Sequence, residues 1–349
     1  MSSGSQKGRK SRAGGRGPAV MTDVAKLARV SHQTVSRVLH DSPNVKGETR
    51  ERVLAAIRQL NYRPNSVAQA LVTGRSRVIG VVSLDTVHYG PASTLLGIEE
   101  AAHNAGYAVS ITSLRSRNRT SVLDAVQLLR DQAVDGVVVI APHTAAVEAL
   151  RRLPPNLPVV AVGAGSTNAV PVVAVDQIGG AKAATQHLLD LGHRTVWHLA
   201  GPADWIEAEQ RISGWQAALK QAGAPIPALL RGDWSAHSGY ELGRQLLEKP
   251  DATAVFVAND QMALGLLRRL HEVNREKPRQ ISIVGFDDIP EAGYFTPPLT
   301  TVRQDFAEVG RRCIHLLLGQ IEGGAKTKEH VLVPIQLILR QSTAAAKAR

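Results

Sequence analysis

From Val78 onward the sequence alternates short runs of β-branched residues with longer amphipathic stretches, and this alternation confines the chain to few folds. The runs are VIGVVS, AVSIT, GVVVI, PVVAV and VVAV, followed by TVWHLA, AVFVA, ISIVGF and TTV. Helical periodicity fills the gaps, around residues 92–105, 121–132, 145–152, 178–191, 206–222, 238–248, 261–273 and 305–319. A strand that is apolar at every position has no face to give to water, so helices must cover both sides of a parallel sheet. The pattern therefore predicts a doubly wound α/β fold. The stretch is long enough for two such lobes with a ligand cleft between them.

The chain before Val78 has a different texture, and charge marks the boundary. Residues 1–77 hold 15 of the 41 Lys and Arg but only 4 of the 30 Asp and Glu, so the whole net charge of +11 sits there and the other 272 residues are neutral. Such an asymmetry points to a polyanion partner for that segment alone. Residues 1–19 are a Gly/Ser/basic low-complexity arm, expected to be disordered. Residues 20–63 spell three short helices. Thr22 is expected to cap the first, with Val24, Leu27 and Ala28 inward; Ser31 caps a second that runs to Leu39. Glu48–Leu60 supplies the third, with Val53, Leu54, Ile57 and Leu60 on one stripe. Residues 64–77 form a linker in which Pro64 breaks the third helix and Asn65 can cap a further short one. A helix that short is marginal in water and is expected to order only against a partner.

Several functional classes are missing their signatures. There is no G-x-x-x-x-G-K-[ST], and VGAGST at 162–167 lacks the spacing of a dinucleotide fingerprint. The 12 histidines show neither H-E-x-x-H nor a Cys/His cluster, so no metal is expected. The acidic pairs Glu99–Glu100 and Asp287–Asp288 are adjacent in sequence and point different ways, so no catalytic residue and no cofactor is assigned. The single cysteine, Cys313, lies in the apolar stretch RRCIHLLLG and is expected to be a buried thiol. Without a signal peptide or an apolar run near 18 residues, the chain is expected to be cytoplasmic, with no membrane partner.

MTDVAKLARVSHQTVSRVLHDSPNVKGETRERVLAAIRQLNYRPNSVAQAL resembles the helix-turn-helix and hinge of the lactose-repressor (LacI/GalR) family of bacterial transcription regulators. The resemblance continues through LLDLGHRTVWHLAGP, RISGWQAAL, GDWSAHSGY, VANDQMALG, GFDD and PPLTTVRQDF, from about Val20 to Arg340. It implies a DNA-binding headpiece at 20–63, a hinge helix at 64–77 and a two-lobed core at 78–344, like a periplasmic sugar-binding protein. The expected N-lobe spans about 78–176 and 307–335, and the C-lobe about 177–304 and 336–344; residues 345–349 are a tail.

The resemblance also implies roles for particular residues. A helix-turn-helix lays its second helix in the major groove, with the N-terminal residues facing base edges. His32, Gln33 and Arg37 match the base-reading positions, where Gln suits adenine and Arg suits guanine. Ser31 and Thr34 are better placed for phosphates. Arg29 stands where the family usually has a turn glycine, so a φ above zero is expected there, with mild strain. In the hinge, Leu71 matches a leucine that wedges between base pairs in the minor groove, with Asn65, Val67, Ala68 and Gln69 around it. In the core, Trp234 matches a sugar-stacking position; Arg211, Asn259, Asp287 and Gln304 match polar contacts, and Phe306 a second wall. Tyr89, Pro91 and Trp205 are further pocket-lining candidates. Gly163 replaces an acid, and Trp205 a small residue, of the repressor that gives the family its name, which points to a glycoside with a bulkier or second ring.

The expectation from these readings is a repressor of sugar-utilisation genes that binds a near-palindromic operator as a homodimer and is released by a sugar in the cleft. No leucine heptad follows VPIQLILRQSTAAAKAR, so a dimer rather than a tetramer is expected. A regulator with a nucleobase or other corepressor is the alternative. A sugar-binding transport protein and an enzyme of sugar metabolism are the rivals from other classes; the basic headpiece argues against the first, and the missing catalytic constellation against the second.

Overall fold

A computed structural model describes residues 19–39, 42–62, 73–83, 86–114, 118–163, 165, 169–274, 280–323 and 328–346. The chain divides into two compact units, with the boundary between Ser76 and Arg77.

The described part of the first unit is three helices, α1 (Met21–Ala28), α2 (His32–Leu39) and α3 (Gly47–Leu60). Val24, Ala25, Ala28, Val35, Val38, Val53, Ala56 and Tyr62 form its core. Two sequence expectations need correction. Thr22 lies inside α1 and does not cap it; Val20 is the N-cap residue, and its N–H donates to the Asp23 carboxylate at 3.1 Å. Leu27 and Leu54 are exposed rather than inward. Both corrections to the apolar stripes have one cause. At 3.6 residues per turn each leucine falls about 100° from the axis of the stripe its helix buries, Val24/Ala25/Ala28 in one case and Val53/Ala56/Ile57 in the other. Ser31 does cap α2, with its Oγ accepting from Thr34 N at 3.1 Å. Arg29 closes α1 in the left-handed region, at φ 54° and ψ 49°.

The second unit contains two six-stranded sheets. The first has the order β11-β5-β4-β3-β1-β2, built from β1 (Val78–Ser83), β2 (Ala108–Ser113), β3 (Gly136–Ile140), β4 (Val159–Val162), β5 (Val172–Val175) and β11 (His330–Val333). All its pairings are parallel. Helices α4 (Tyr89–Asn104), α5 (Arg119–Asp131), α6 (Thr144–Leu150) and α11 (Phe306–Ile321) cover it, with apolar clusters on both faces. The second sheet has the order β12-β10-β9-β8-β6-β7, from β6 (Trp197–Ala200), β7 (Leu230–Arg231), β8 (Ala254–Val257), β9 (Ser282–Asp287), β10 (Thr300–Gln304) and β12 (Ile335–Ile338). It is parallel except for β12, which runs antiparallel to β10. Helices α7 (Gln177–Asp190), α8 (Ile206–Gln221), α9 (Ala236–Leu247) and α10 (Asp260–Asn274) cover it.

The chain passes between the lobes three times, each time through a single residue: Asp176 between β5 and α7, Asp305 between β10 and α11, and Pro334 between β11 and β12. The two aspartates also cap the helices they lead into. Asp176 accepts from Gly179 N, and Asp305 from Glu308 N, both at 2.8 Å. A carboxylate at this position satisfies an orphan N–H and complements the helix dipole, so each crossover begins its helix in a fixed direction.

Glycine sets how closely α4 and α11 approach. A β-carbon on Gly310 would collide with the Gly97 carbonyl, so the two backbones touch at this crossing. Cys313, one turn further along α11, is a fully buried free thiol.

Candidate nucleic-acid interface and ligand cleft

On α2 the apolar residues Val35 and Val38 are buried, while Ser31, His32, Gln33 and Arg37 are exposed and Thr34 is half-buried. The exposed set lies at the helix N-terminus and one turn on, so short polar side chains, an amide and a guanidinium share one solvent face. Asn65, Val67, Ala68, Gln69 and Leu71 lie outside the described residues.

The second site opens at the C-terminal ends of the strands of the second unit, where doubly wound folds hold ligands. It is a narrow, open cleft between His88, Tyr89, Gly90 and Pro91 on one side and Trp205, Glu207, Arg211, Trp234, Asn259 and Asp287 on the other. Of the nine residues singled out from sequence, Tyr89, Pro91, Trp205, Arg211, Trp234, Asn259 and Asp287 line it. Gln304 and Phe306 stand behind this lining. Phe306 meets Tyr89 edge-on, with ring centres 5.9 Å apart.

Gln304 belongs to a buried ring of polar contacts. Arg211 Nε donates to Gln177 Oε1 at 2.8 Å, Gln177 Nε2 to Gln304 Oε1 at 2.8 Å, and Gln304 Nε2 to Asp287 Oδ1 at 2.7 Å. Asp287 Oδ1 closes the ring at 3.7 Å from Arg211 Nη2. Arg211 Nη1 also donates to the Ala258 carbonyl, and the guanidinium lies 3.9 Å over the Phe286 ring. Burial pushes the Asp287 carboxyl up to about 7; Arg211 opposes this, and the nearby Glu207 charge adds to it. At neutral pH that carboxyl can therefore both accept and donate a hydrogen bond.

Asn259 faces the cleft, but its polar atoms are engaged within the protein. Its Nδ2 donates to the Trp234 carbonyl at 3.0 Å and to Gln261 Oε1 at 2.9 Å, and its Oδ1 accepts from Met262 N at 2.9 Å. It holds Trp234, which sits at φ 74°, in a conformation that L residues rarely adopt. The Trp234 indole meets that of Trp205 edge-on, at 5.4 Å between centres. Trp205 also packs edge-on against His88 and His143, at 5.4 and 4.6 Å. Both indole N–H groups are buried and have no acceptor among the described residues.

Sequence reasoning missed His88, His143, Gln177 and Glu207. Glu207 had a usable signal, because it lies four residues before Arg211 and thus on the same helix face. His88 and His143 meet Trp205 from the first lobe, and Gln177 is placed by its contacts with Arg211 and Gln304. Among the described residues, no three His, Cys, Asp or Glu side chains are grouped so as to hold a metal ion, and no helix is long and apolar enough to cross a membrane.

Residues 20–65 match the model of the bacterial regulatory proteins, lacI family, and residues 185–343 that of a periplasmic binding protein-like domain. The chain is 34% identical over 333 residues to the lactose operon repressor of Escherichia coli K12, covering 94% of this chain and 91% of the repressor. Its structure resembles that of a lac repressor dimer bound to operator and the anti-inducer ONPF, with a TM-score of 0.83, 33% identity, and coverage of 94% of this chain and 100% of the repressor. It also resembles a transcriptional regulator, CelR, in complex with cellobiose, with a TM-score of 0.69, 31% identity, and coverage of 93% and 99%.

Proposed function

The chain belongs to the lacI family of bacterial regulatory proteins, and on that premise we propose that it represses sugar-utilisation genes, binding a near-palindromic operator as a homodimer and leaving it when a glycoside fills the cleft. The observation that carries this reading is the split of α2 into a buried Val35/Val38 face and an exposed polar N-terminal face. That face is what major-groove reading requires. His32, Gln33 and Arg37 choose bases, and Ser31 and Thr34 hold phosphates. The headpiece covers one half-site, so two copies related by a two-fold axis read the two halves. The positive charge concentrated in residues 1–77 supplies the salt-dependent part of the affinity. Such a repressor works in the cytoplasm, on the nucleoid when operator-bound.

The boundaries 20–63, 64–77 and 78–344 give the allosteric parts: reader, hinge and core, with residues 1–19 a basic arm. The N-lobe takes 78–175 and 306–333 and the C-lobe 177–304 and 335–344, with the crossovers at Asp176, Asp305 and Pro334 moving the sequence-based boundaries by one or two residues. A ligand held between the lobes favours one interlobe arrangement, and only one arrangement brings two hinges close enough for Leu71 of each to wedge into the minor groove. The three single-residue crossovers at Asp176, Asp305 and Pro334 are the natural pivots for that motion.

A sugar fits the cleft because aromatic faces (Trp205, Trp234) stand beside a guanidinium and carboxyl groups. The cellobiose held by the CelR relative, together with Trp205 and Gly163, favours a ligand with two rings. The test is to select operators from random duplexes with the full chain, then titrate the best one with and without cellobiose and lactose. Release by either sugar, and affinity that falls steeply with salt, are the expected results. No selected sequence, or a salt-independent affinity, refutes the reading.

A further inference from the structure

Glu207 is the one ionisable side chain lining the cleft, among the described residues, for which the structure shows neither a hydrogen bond nor an ion pair. Arg211 and Asp287 are tied into the polar ring, and Tyr89 and His88 make ring contacts. Glu207 sits in the first turn of α8, in a segment that reaches over to the other lobe. Ile206 N donates to the Pro142 carbonyl at 2.9 Å, and Trp205 pairs with His143 as an isolated antiparallel bridge. This crossing delivers the carboxylate to the end of β4. There Gly163, at φ 70°, has no side chain, and a β-carbon would stand 3.3 Å from Glu207 Oε1. The bare glycine leaves room for the Glu207 carboxylate, which would crowd against any side chain at that position.

The Glu207 carboxylate is half-buried and feels the charges of Arg211 and His143 without hydrogen-bonding to either, so its oxygens remain open to a donor on a ligand. Burial raises the carboxyl of Glu207 above the usual range, with Arg211 and His143 opposing. The cleft thus carries two carboxyl groups, Glu207 and Asp287, against a single guanidinium that is already donating at two of its nitrogens. Two buried indole N–H groups supply further unused donors. Acceptors, donors and aromatic faces together describe a neutral polyol. A phosphate or a second carboxylate would meet the Glu207 carboxylate, while the one lining guanidinium is already engaged by Gln177, Ala258 and Asp287.

We infer that Glu207 is the specificity-determining residue of the cleft, accepting hydroxyl hydrogens of a neutral saccharide and excluding phosphorylated and uronic acid sugars. This rests on the proposed reading of the cleft as a sugar site.

The test uses the full chain with cellobiose, lactose, glucose 6-phosphate and glucuronate as calorimetric probes, on wild type, Glu207→Gln, Glu207→Ala and Trp234→Ala. Far-ultraviolet circular dichroism and thermal unfolding establish that each variant is folded. The wild type is expected to bind at least one neutral disaccharide and neither anion. Both Glu207 variants are expected to lose about tenfold or more in that affinity, as for a hydrogen bond to a charged group, and the Gln variant to gain measurable glucose 6-phosphate binding. Unchanged disaccharide affinity in both Glu207 variants, with Trp234→Ala defective, overturns the role of Glu207 and leaves the sugar reading standing. Wild-type binding of glucose 6-phosphate or glucuronate as tightly as of the disaccharides overturns the charge exclusion. If neither disaccharide binds the wild type, the sugar reading fails, and the inference with it.

Discussion

His198 gives the sharpest quantitative handle on the second lobe. It lies on β6, fully buried, with its ring stacked on Phe256 at 4.6 Å and 4° between planes, and Nδ1 meeting the Phe256 carbonyl at 2.9 Å. Its Nε2 has no partner among the described residues. Burial drives its pKa down from 6.5 to about 3, with Arg211 and Arg231 pushing the same way and the Phe256 carbonyl opposing. Above pH 6.5 the ring is neutral whether folded or unfolded, so stability is full. As pH falls from 6.5 towards 3 the unfolded chain takes up a proton that the folded chain refuses, and stability is lost. At pH 5, about 1.5 units below the unfolded pKa, the loss is about 2 kcal/mol. His198→Phe keeps the stack and removes the titration, at a pH-independent cost of about 1–3 kcal/mol for the carbonyl left behind. Urea unfolding followed by tryptophan fluorescence, at one protein concentration and at pH 7.5 and 5.0, yields four free energies. Other titrating groups, Asp287 and Asp260 among them, cancel in the comparison of wild type with variant. The destabilisation caused by the substitution should shrink by about 2 kcal/mol between the two pH values. Parallel losses in both proteins would show that the His198 ring does not stay neutral through burial, and the reasoning would fall.

Four other outcomes are expected. Trp234→Ala removes the stacking face and should abolish calorimetric binding of whichever disaccharide the wild type takes; an unchanged affinity sinks the stacking role. Gln33→Ala and Arg37→Ala should each weaken the selected operator by about 1–3 kcal/mol and relax preference at one base pair, whereas Ser31→Ala weakens all sequences alike; anisotropy titrations against point-changed duplexes separate the two patterns. Gly310→Ala forces a methyl into the Gly97 carbonyl and should cost about 1–3 kcal/mol or more in urea, so a neutral effect contradicts the backbone contact. Cys313, whose thiol burial pushes above its ordinary pKa, should resist a thiol reagent in the native chain and react at the rate of unfolding; immediate modification of folded protein speaks against its burial.

The central strands β1, β3, β4, β5 and β8 were legible because their runs are almost wholly apolar, which a doubly covered sheet requires. Three strands were not. β7 is two residues long, and β11 and β12 are edge strands whose half-exposed positions carry no continuous apolar run. The headpiece helices were legible in number, but Thr22, Leu27 and Leu54 went to the wrong roles because one residue of helical phase decides cap and stripe. In the cleft, the residues that line it belong to separate strand ends, and resemblance rather than spacing named them. His88, His143 and Gln177 stayed hidden because their neighbours lie on distant segments. Asn259 was legible as polar, but not that its amide would turn to the Trp234 carbonyl.

The three interlobe crossovers have a consequence for synthesis. The first lobe is begun by residues 78–175 but finished by α11 and β11, which the ribosome adds only after the whole of β6 to β10 has been made. Until residue 333 emerges, β5 presents a bare edge, and the sheet face that α11 covers is open to water. The second lobe likewise waits for β12 at 335–338. Contacts of such long sequence separation form slowly, and exposed edges invite other chains. The residues that complete the two sheets are therefore added within about a second of one another, at 5–20 residues per second. A nascent chain stalled just short of Phe306 would hold two unfinished sheets, a state in which chaperone binding, rather than native packing, decides its fate.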